Sequence, residues 1–458
     1  MLYYKVRMSL YRFTQLVITI ITIFTEISHM WEKRSVGKTI LNILIILIIA
    51  VLVGGLYYAM QRVQANSAEH DKELSQLYEQ QKQVQEEARQ ESALWVQAEY
   101  EKDMETVAKY MPGIVCWGDN TTAAAFGSLN YPYVLQTYIN TYICDTYDFV
   151  STLNTSAALP RMDWDQFKFS IPVVNMGAGK ETTYTILGRA GAIPYVLGED
   201  IVIPAECEPV KVYLLSEGGQ IVNPLTGGDA GVNPVTIEGI EGTLTINSED
   251  YSYGGMLHYT FTRATPGEET PAPKGTVVKT AATDLYKDYI SVILIGIYGE
   301  FTNADDLVKQ VRTLLSRQTN NPERFIVLGP YVANAYAYSS YQLDAVDTAM
   351  QQAFDNRYIS IRKYLVGDGY IDAGLSPTHD DGYYTSQYIV PPTFKTGTDS
   401  IELNSIAHKL IGKLIFNRMQ SLGYFDEISE ELHLSEVTNR ILKDSPGYFE
   451  TVIQNILK

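Results

Sequence analysis

Cysteine is scarce in this chain. Three in 458 residues, Cys116, Cys144 and Cys207, are too few for a disulfide framework and too scattered for a zinc site. Positive charge is also short: 35 Lys and Arg against 53 Asp and Glu leave a formal charge of −18. With no local basic cluster, the average field repels a phosphate backbone and excludes nucleic acid as a partner. Long apolar runs are missing after residue 60, which excludes a polytopic membrane protein. Glycine and proline are missing from residues 61–109, and no internal repeat is found. What remains is ordinary globular composition, 46% hydrophobic and 19% charged, which excludes wholesale disorder.

The one long apolar run is Ile40–Met60, 21 residues without a charge. As a helix rising 1.5 Å per residue it would match a hydrocarbon core of about 30 Å. Lys33, Arg34 and Lys38 precede it, and Glu69, Asp71 and Glu73 follow. This bias predicts a membrane anchor at residues 39–60, with residues 1–38 cytoplasmic or interfacial and the rest outside the cytoplasm. The shorter stretch Leu16–Phe24 is either an interfacial helix or sequence upstream of a start at Met30. Residues 61–110 are rich in Gln, Glu and Lys. Leu74, Leu77, Val84 and Ala88 recur near heptad spacing, interrupted by Gln81, which predicts a helical stalk. The stalk is either a single solvated helix or a weak coiled coil through which the chain self-associates.

Downstream, short apolar runs alternate with amphipathic stretches. Gly113–Trp117, Phe169–Val174, Ser291–Ile295 and Phe325–Leu328 read as buried strands. Gln136–Thr152, Glu181–Arg189, Ala304–Arg317, Ala345–Phe354 and Ile406–Leu422 read as helices. This alternation predicts an α/β unit over 111–194 and 283–425, a parallel sheet covered on both faces. Residues 195–282 break the pattern. Short β-like runs separated by Gly, Pro and Asn predict an inserted small β-barrel or sandwich. Residues 426–458 form a polar tail, helical near 432–442 and 449–457. Ligands of such sheets bind beyond the carboxyl ends of the strands, where the turns at 118–122, 175–181 and 296–300 are placed.

Those turns, in order, resemble the blocks of the SGNH/GDSL hydrolases. IVCWGDN (114–120) resembles the strand and Gly-Asp-Ser of the first block, with Asn120 at the nucleophile position. VVNMGAGKET (173–182) resembles the second and places Gly177 at the oxyanion-hole glycine. LIGIYGEF (294–301) resembles the Gly-x-Asn block, with Tyr298 in place of the Asn. TGTDSIELN (396–404) resembles Asp-x-x-His, keeping Asp399 and putting Glu402 at the base position. The resemblance spans about 111–425, interrupted by the insertion. It implies an SGNH-hydrolase-like (flavodoxin-like) α/β fold carrying an inserted β domain, with the anchor and stalk before it. It also implies an ester-hydrolase site built from Asn120, Gly177, Tyr298, Asp399 and Glu402, without metal or cofactor.

The residues themselves oppose that chemistry. A carboxamide has no proton to lose near neutral pH and is a poor nucleophile. A carboxylate is a weak base beside His. Tyr298 has a donor hydroxyl but is bulkier than Asn. The expected function is therefore binding, by a catalytically degraded site, of an envelope glycan, an acylated small ligand or a partner at a bacterial cell surface. The alternatives are an esterase or deacetylase using unusual residues, and a structural scaffold. Thr121 or Thr122 as nucleophile, with His379 or His408 as base, is the rival arrangement; both threonines also suit a turn or helix cap. Asp399 and Glu402 as a glycosidase pair rest only on a common spacing. Met176–Lys180 fails as a phosphate loop, because Val174 and Glu181 stand where Gly and Ser/Thr are needed.

Overall fold

The computed structural model describes residues 43, 46, 47, 50, 53, 54, 67–124, 129–147, 170–251, 257–320, 322–331, 340–398, 400–434, 436, 439, 443 and 447–457. The chain divides into two compact units, Met1–Trp95 and Val96–Lys458. A single long helix, α1 (Ser67–Tyr110), carries the Gln- and Glu-rich segment. On it Leu77, Gln81, Val84 and Ala88 are half-buried while the residues between them are exposed.

The second unit is built on five parallel strands. They are β1 (Ile114–Gly118), β2 (Val173–Gly177), β11 (Ile290–Leu294), β12 (Phe325–Leu328) and β13 (Tyr358–Ile359), in the spatial order β2-β1-β11-β12-β13. Side-chain alternation divides each strand between two cores. Ile114 and Cys116 of β1, with Val292, Leu294, Ile326 and Leu328, face one core. It is closed by α3 (Tyr131–Asn140), α7 (Ser405–Ser421) and α8 (Tyr448–Ile456). Where α7 crosses α3, a Cβ on Gly412 would lie 2.5 Å from Val134 Cγ1, so only glycine permits that approach. Val115 and Trp117, with Ile293 and Val327, face the second core. It is closed by α4 (Thr183–Arg189), α5 (Ala304–Leu315) and α6 (Ser340–Phe354). On α5 the buried stripe Leu307, Val311 and Leu314 follows helical spacing, and the Asn303 side chain caps the Asp306 N–H.

Between α4 and β11 the chain builds a closed antiparallel barrel, ordered β10-β3-β5-β8-β7-β6. Its strands are β3 (Tyr195–Leu197), β5 (Val210–Ser216), β6 (Val235–Ile237), β7 (Ile240–Tyr251), β8 (Leu257–Arg263) and β10 (Val277–Lys279). A two-stranded ribbon, β4 (Ile201–Ile203) and β9 (Thr270–Ala272), flanks it. The β6–β7 hairpin turns on Glu238 and Gly239, both at positive φ (+49° and +76°), the conformation of a two-residue type I′ turn. Tyr195, Leu214, Val235, Leu244, Tyr259 and Phe261 fill the interior.

This architecture corrects the fold class expected from sequence. An α/β class with a small inserted β domain understates what the chain contains. The chain joins a five-stranded parallel sheet with its helices to a closed six-stranded antiparallel barrel. Among the described residues no helix is long and apolar enough to cross a membrane. Most of the expected anchor at 39–60, and all of Leu16–Phe24, lie outside the described residues. The physical reason for the first correction is that the insertion satisfies its own backbone hydrogen bonds by closing on itself. The barrel itself therefore has no free sheet edge and stands as an architecture of its own.

Candidate functional site

Counted along the parallel sheet's own strands, the order is 2-1-3-4-5, and the chain reverses direction across the sheet between β1 and β11. At such a switch point the loops leaving the two strands part and open a crevice at their carboxyl ends. Residues 118–123 leave β1 there, 295–300 leave β11, and 177–181 leave the neighbouring β2.

The first loop is a tight turn into a four-residue helix, α2 (Asn120–Ala123), in which Asp119 Oδ1 accepts the Thr121 N–H at 3.0 Å. Asp119 is completely buried, and its Oδ2 has no hydrogen-bond partner among the described residues. Burial pushes its carboxyl up to about 7, against the lowering effect of the Thr121 bonds and aided by the Glu181 charge. The next side chain, Asn120, is half-buried and held from two sides. Its Oδ1 accepts the Lys180 backbone N–H at 2.5 Å, and its Nδ2 donates to Glu402 Oε1 at 3.4 Å. Sequence positions 120, 180 and 402 therefore meet.

Gly177 plays a different part from the one the resemblance implies. Its N–H is given to Asn175 Oδ1 at 2.9 Å, and a Cβ there would lie 2.2 Å from the Ala123 N. Its smallness seats α2 on β2, while the backbone donor that faces Asn120 belongs to Lys180, at φ +61°. Tyr298 is half-buried beside the same cluster. Its phenol is pushed up by burial and then by the Asp119 and Glu402 charges. Tyr331, fully buried, bonds Thr121 Oγ1 at 2.7 Å and donates to the Ile401 carbonyl at 3.0 Å, tying the first loop to the last. Asp399 lies outside the described residues.

Asn404 positions the Glu402 loop. Its Oδ1 caps α7 by accepting the Ile406 and Ala407 N–H groups, both at 3.1 Å. Its Nδ2 donates to the Thr393 and Lys395 carbonyls at 2.8 and 3.1 Å. Asn404→Ala removes the cap and leaves carbonyls without their donor. A loss of about 1–2 kcal/mol is expected in urea unfolding, with faster hydrogen exchange over 393–404. Unchanged stability and exchange would show that the loop is held by other contacts.

The rival nucleophiles and bases do not assemble. Thr121 is engaged with Tyr331, and Thr122 Oγ1 lies 2.9 Å from Tyr131 Oη. His379 is fully exposed beside Asp380. His408 is buried against the Tyr131 ring, and desolvation lowers it to about 4, so it stays neutral in the core. Among the described residues no group of His, Cys, Asp and Glu is arranged to hold a metal ion.

Sequence reasoning missed Lys180, Tyr331 and the buried pair behind the site. Glu181 and Arg189, both with fully buried side chains, join through Arg189 Nη2 to Glu181 Oε2 at 2.6 Å and Nε to both carboxylate oxygens. Desolvation raises the Glu181 carboxyl, and Arg189 opposes this. Arg189 also donates to the Ala230 carbonyl at 2.9 Å and lies over the Trp117 ring, while its own carbonyl accepts from Thr280 Oγ1 at 2.6 Å. One side chain thus joins α4, the sheet and the barrel. Its sequence signal was an acid and a base eight residues apart, one before α4 and one at its end.

No family model, no curated protein and no solved structure matches the chain.

Proposed function

We propose that the protein binds a ligand or partner at the sheet's switch point, through an SGNH-like site in which acyl chemistry has been lost. The observation that supports this reading is the double engagement of Asn120. The residue at the nucleophile position is an amide, and it occupies both the Lys180 N–H and the Glu402 carboxylate. An oxyanion needs donors aimed at empty space about 2.7–3.1 Å from the developing charge. Here the Gly177 N–H serves Asn175 and the Lys180 N–H serves Asn120. At the turn after β1, Thr121 is engaged with Tyr331 and Thr122 with Tyr131, so neither hydroxyl is paired with a base. The half-buried Tyr298, Glu402 and Asn120 remain as a polar surface suited to recognition. An envelope glycan is the ligand class suggested by the expected location and the family resemblance together.

The test is turnover of acyl and acetyl esters by the full chain, together with a glycan array. Sugar binding without hydrolysis is expected. Hydrolysis that disappears in Asp399→Ala would overturn the reading in favour of an esterase, and absence of any sugar binding would favour a scaffold. Restoring Asn120→Ser, Tyr298→Asn and Glu402→His together is expected to bring back measurable esterase activity.

A further inference from the structure

Asn120 is bound as a ligand would be. Its carbonyl oxygen takes a backbone N–H at 2.5 Å and its amino group faces a carboxylate at 3.4 Å. A donor on one side and an acceptor on the other, set to meet the O and N of one planar group, are complementary to a carboxamide. A carboxylate would meet Glu402 as a like charge. The backbone on both sides of the cradle has hydrogen bonds of its own. The Glu402 N–H donates to Ser400 Oγ at 3.0 Å, and the Glu402 carbonyl accepts from the Thr396 N–H at 2.9 Å. On the other wall, a Cβ on Gly179 would lie 2.9 Å from Asn120 Oδ1, so the absence of a side chain makes the space. The barrel loop braces that wall. Gly227 accepts the Gly179 N–H through its carbonyl at 3.4 Å, and a Cβ on Gly227 would lie 1.9 Å from the Gly179 N.

We propose that Lys180 N–H, Gly179 and Glu402 form a carboxamide-binding cradle, which the Asn120 side chain fills as a built-in occupant. The inference deepens the binding function proposed above: the ligand carries a carboxamide and enters by displacing Asn120. The cradle's own residues lie on loops of the parallel sheet, and a barrel loop braces one of them through Gly227.

Chemical rescue of the full-length chain tests this. Asn120→Ala and Asn120→Ser empty the cradle and are expected to lower Tm. Acetamide is expected to raise it again saturably, while the wild-type chain shows no saturable response. Acetate is expected to leave both variants unchanged, because its charge meets Glu402. Adding Glu402→Gln to Asn120→Ala replaces that charge with an amide and is expected to shift the preference toward acetate. If Asn120→Ala folds only in acetamide, that also supports the cradle. No saturable response in either variant, or an equal response to acetate, overturns it. The glycan screen on the wild-type chain tests the binding function, and the rescue tests the cradle alone, so either can fail without the other.

Discussion

Arg189→Ala is expected to destabilise the folded chain by about 3–5 kcal/mol, the cost of removing one partner from a buried ion pair. The Glu181 carboxylate would be left buried without the guanidinium that faces it. The Ala230 carbonyl would lose its donor, and Trp117 would keep only the Arg317 guanidinium over its ring. Because Glu181 is already raised by burial, it would respond by taking up a proton, so the loss is expected to be largest at alkaline pH and to shrink as pH falls. Urea unfolding across pH measures this. The double variant Glu181→Leu with Arg189→Met removes both charges at similar volume and is expected to recover most of the loss. A single variant within 1 kcal/mol of wild type would show that the pair does not join barrel to sheet.

The second large effect is a pH dependence seated at Asp119. Its carboxyl holds a proton up to about 7 in the folded chain, against an ordinary value of 3.8. Between those values the folded state binds more protons than the unfolded state, so stability falls as pH rises. The contribution is fully present below about 3.8 and lost above about 7, amounting to about 4 kcal/mol at 1.36 kcal/mol per pH unit. Asp119→Asn keeps an oxygen for the Thr121 N–H and removes the titration. Its stability, measured by urea unfolding from pH 4 to pH 8, is expected to fall less steeply than that of the wild type. The same slope in both chains would place the proton elsewhere.

Both effects arise at positions where sequence reading stopped early. Asp119 reads as a turn residue in Gly118-Asp119-Asn120, and it does cap Thr121. Nothing local says that its second oxygen is sealed from water without a partner, because burial there comes from chain returning from other loops. Gly177 was the glycine that stood at the expected point in the second block. The donor that reaches Asn120 is on Lys180, three residues on, because the chain takes up positive φ at a lysine. A lysine gives no sequence signal for that conformation. The approach of Asn120 to Glu402 was expected from the order of the blocks, whereas Asp399, from the same block, lies outside the described residues.

Local pattern by itself determined which segments are strands and helices where the apolar period is strong: Ile114–Gly118, Phe325–Leu328 and the stripe on Ala304–Leu315. It also determined that position 120 carries a carboxamide, a poor nucleophile in any fold. Tertiary structure decided that residues 195–279 close into a barrel, because closure depends on β10 pairing with both β3 and β6, contacts remote in sequence. It likewise decided how Asn120 is held. That depends on a backbone N–H sixty residues away and a carboxylate 282 residues away meeting one side chain, and no periodicity in the chain encodes such a meeting.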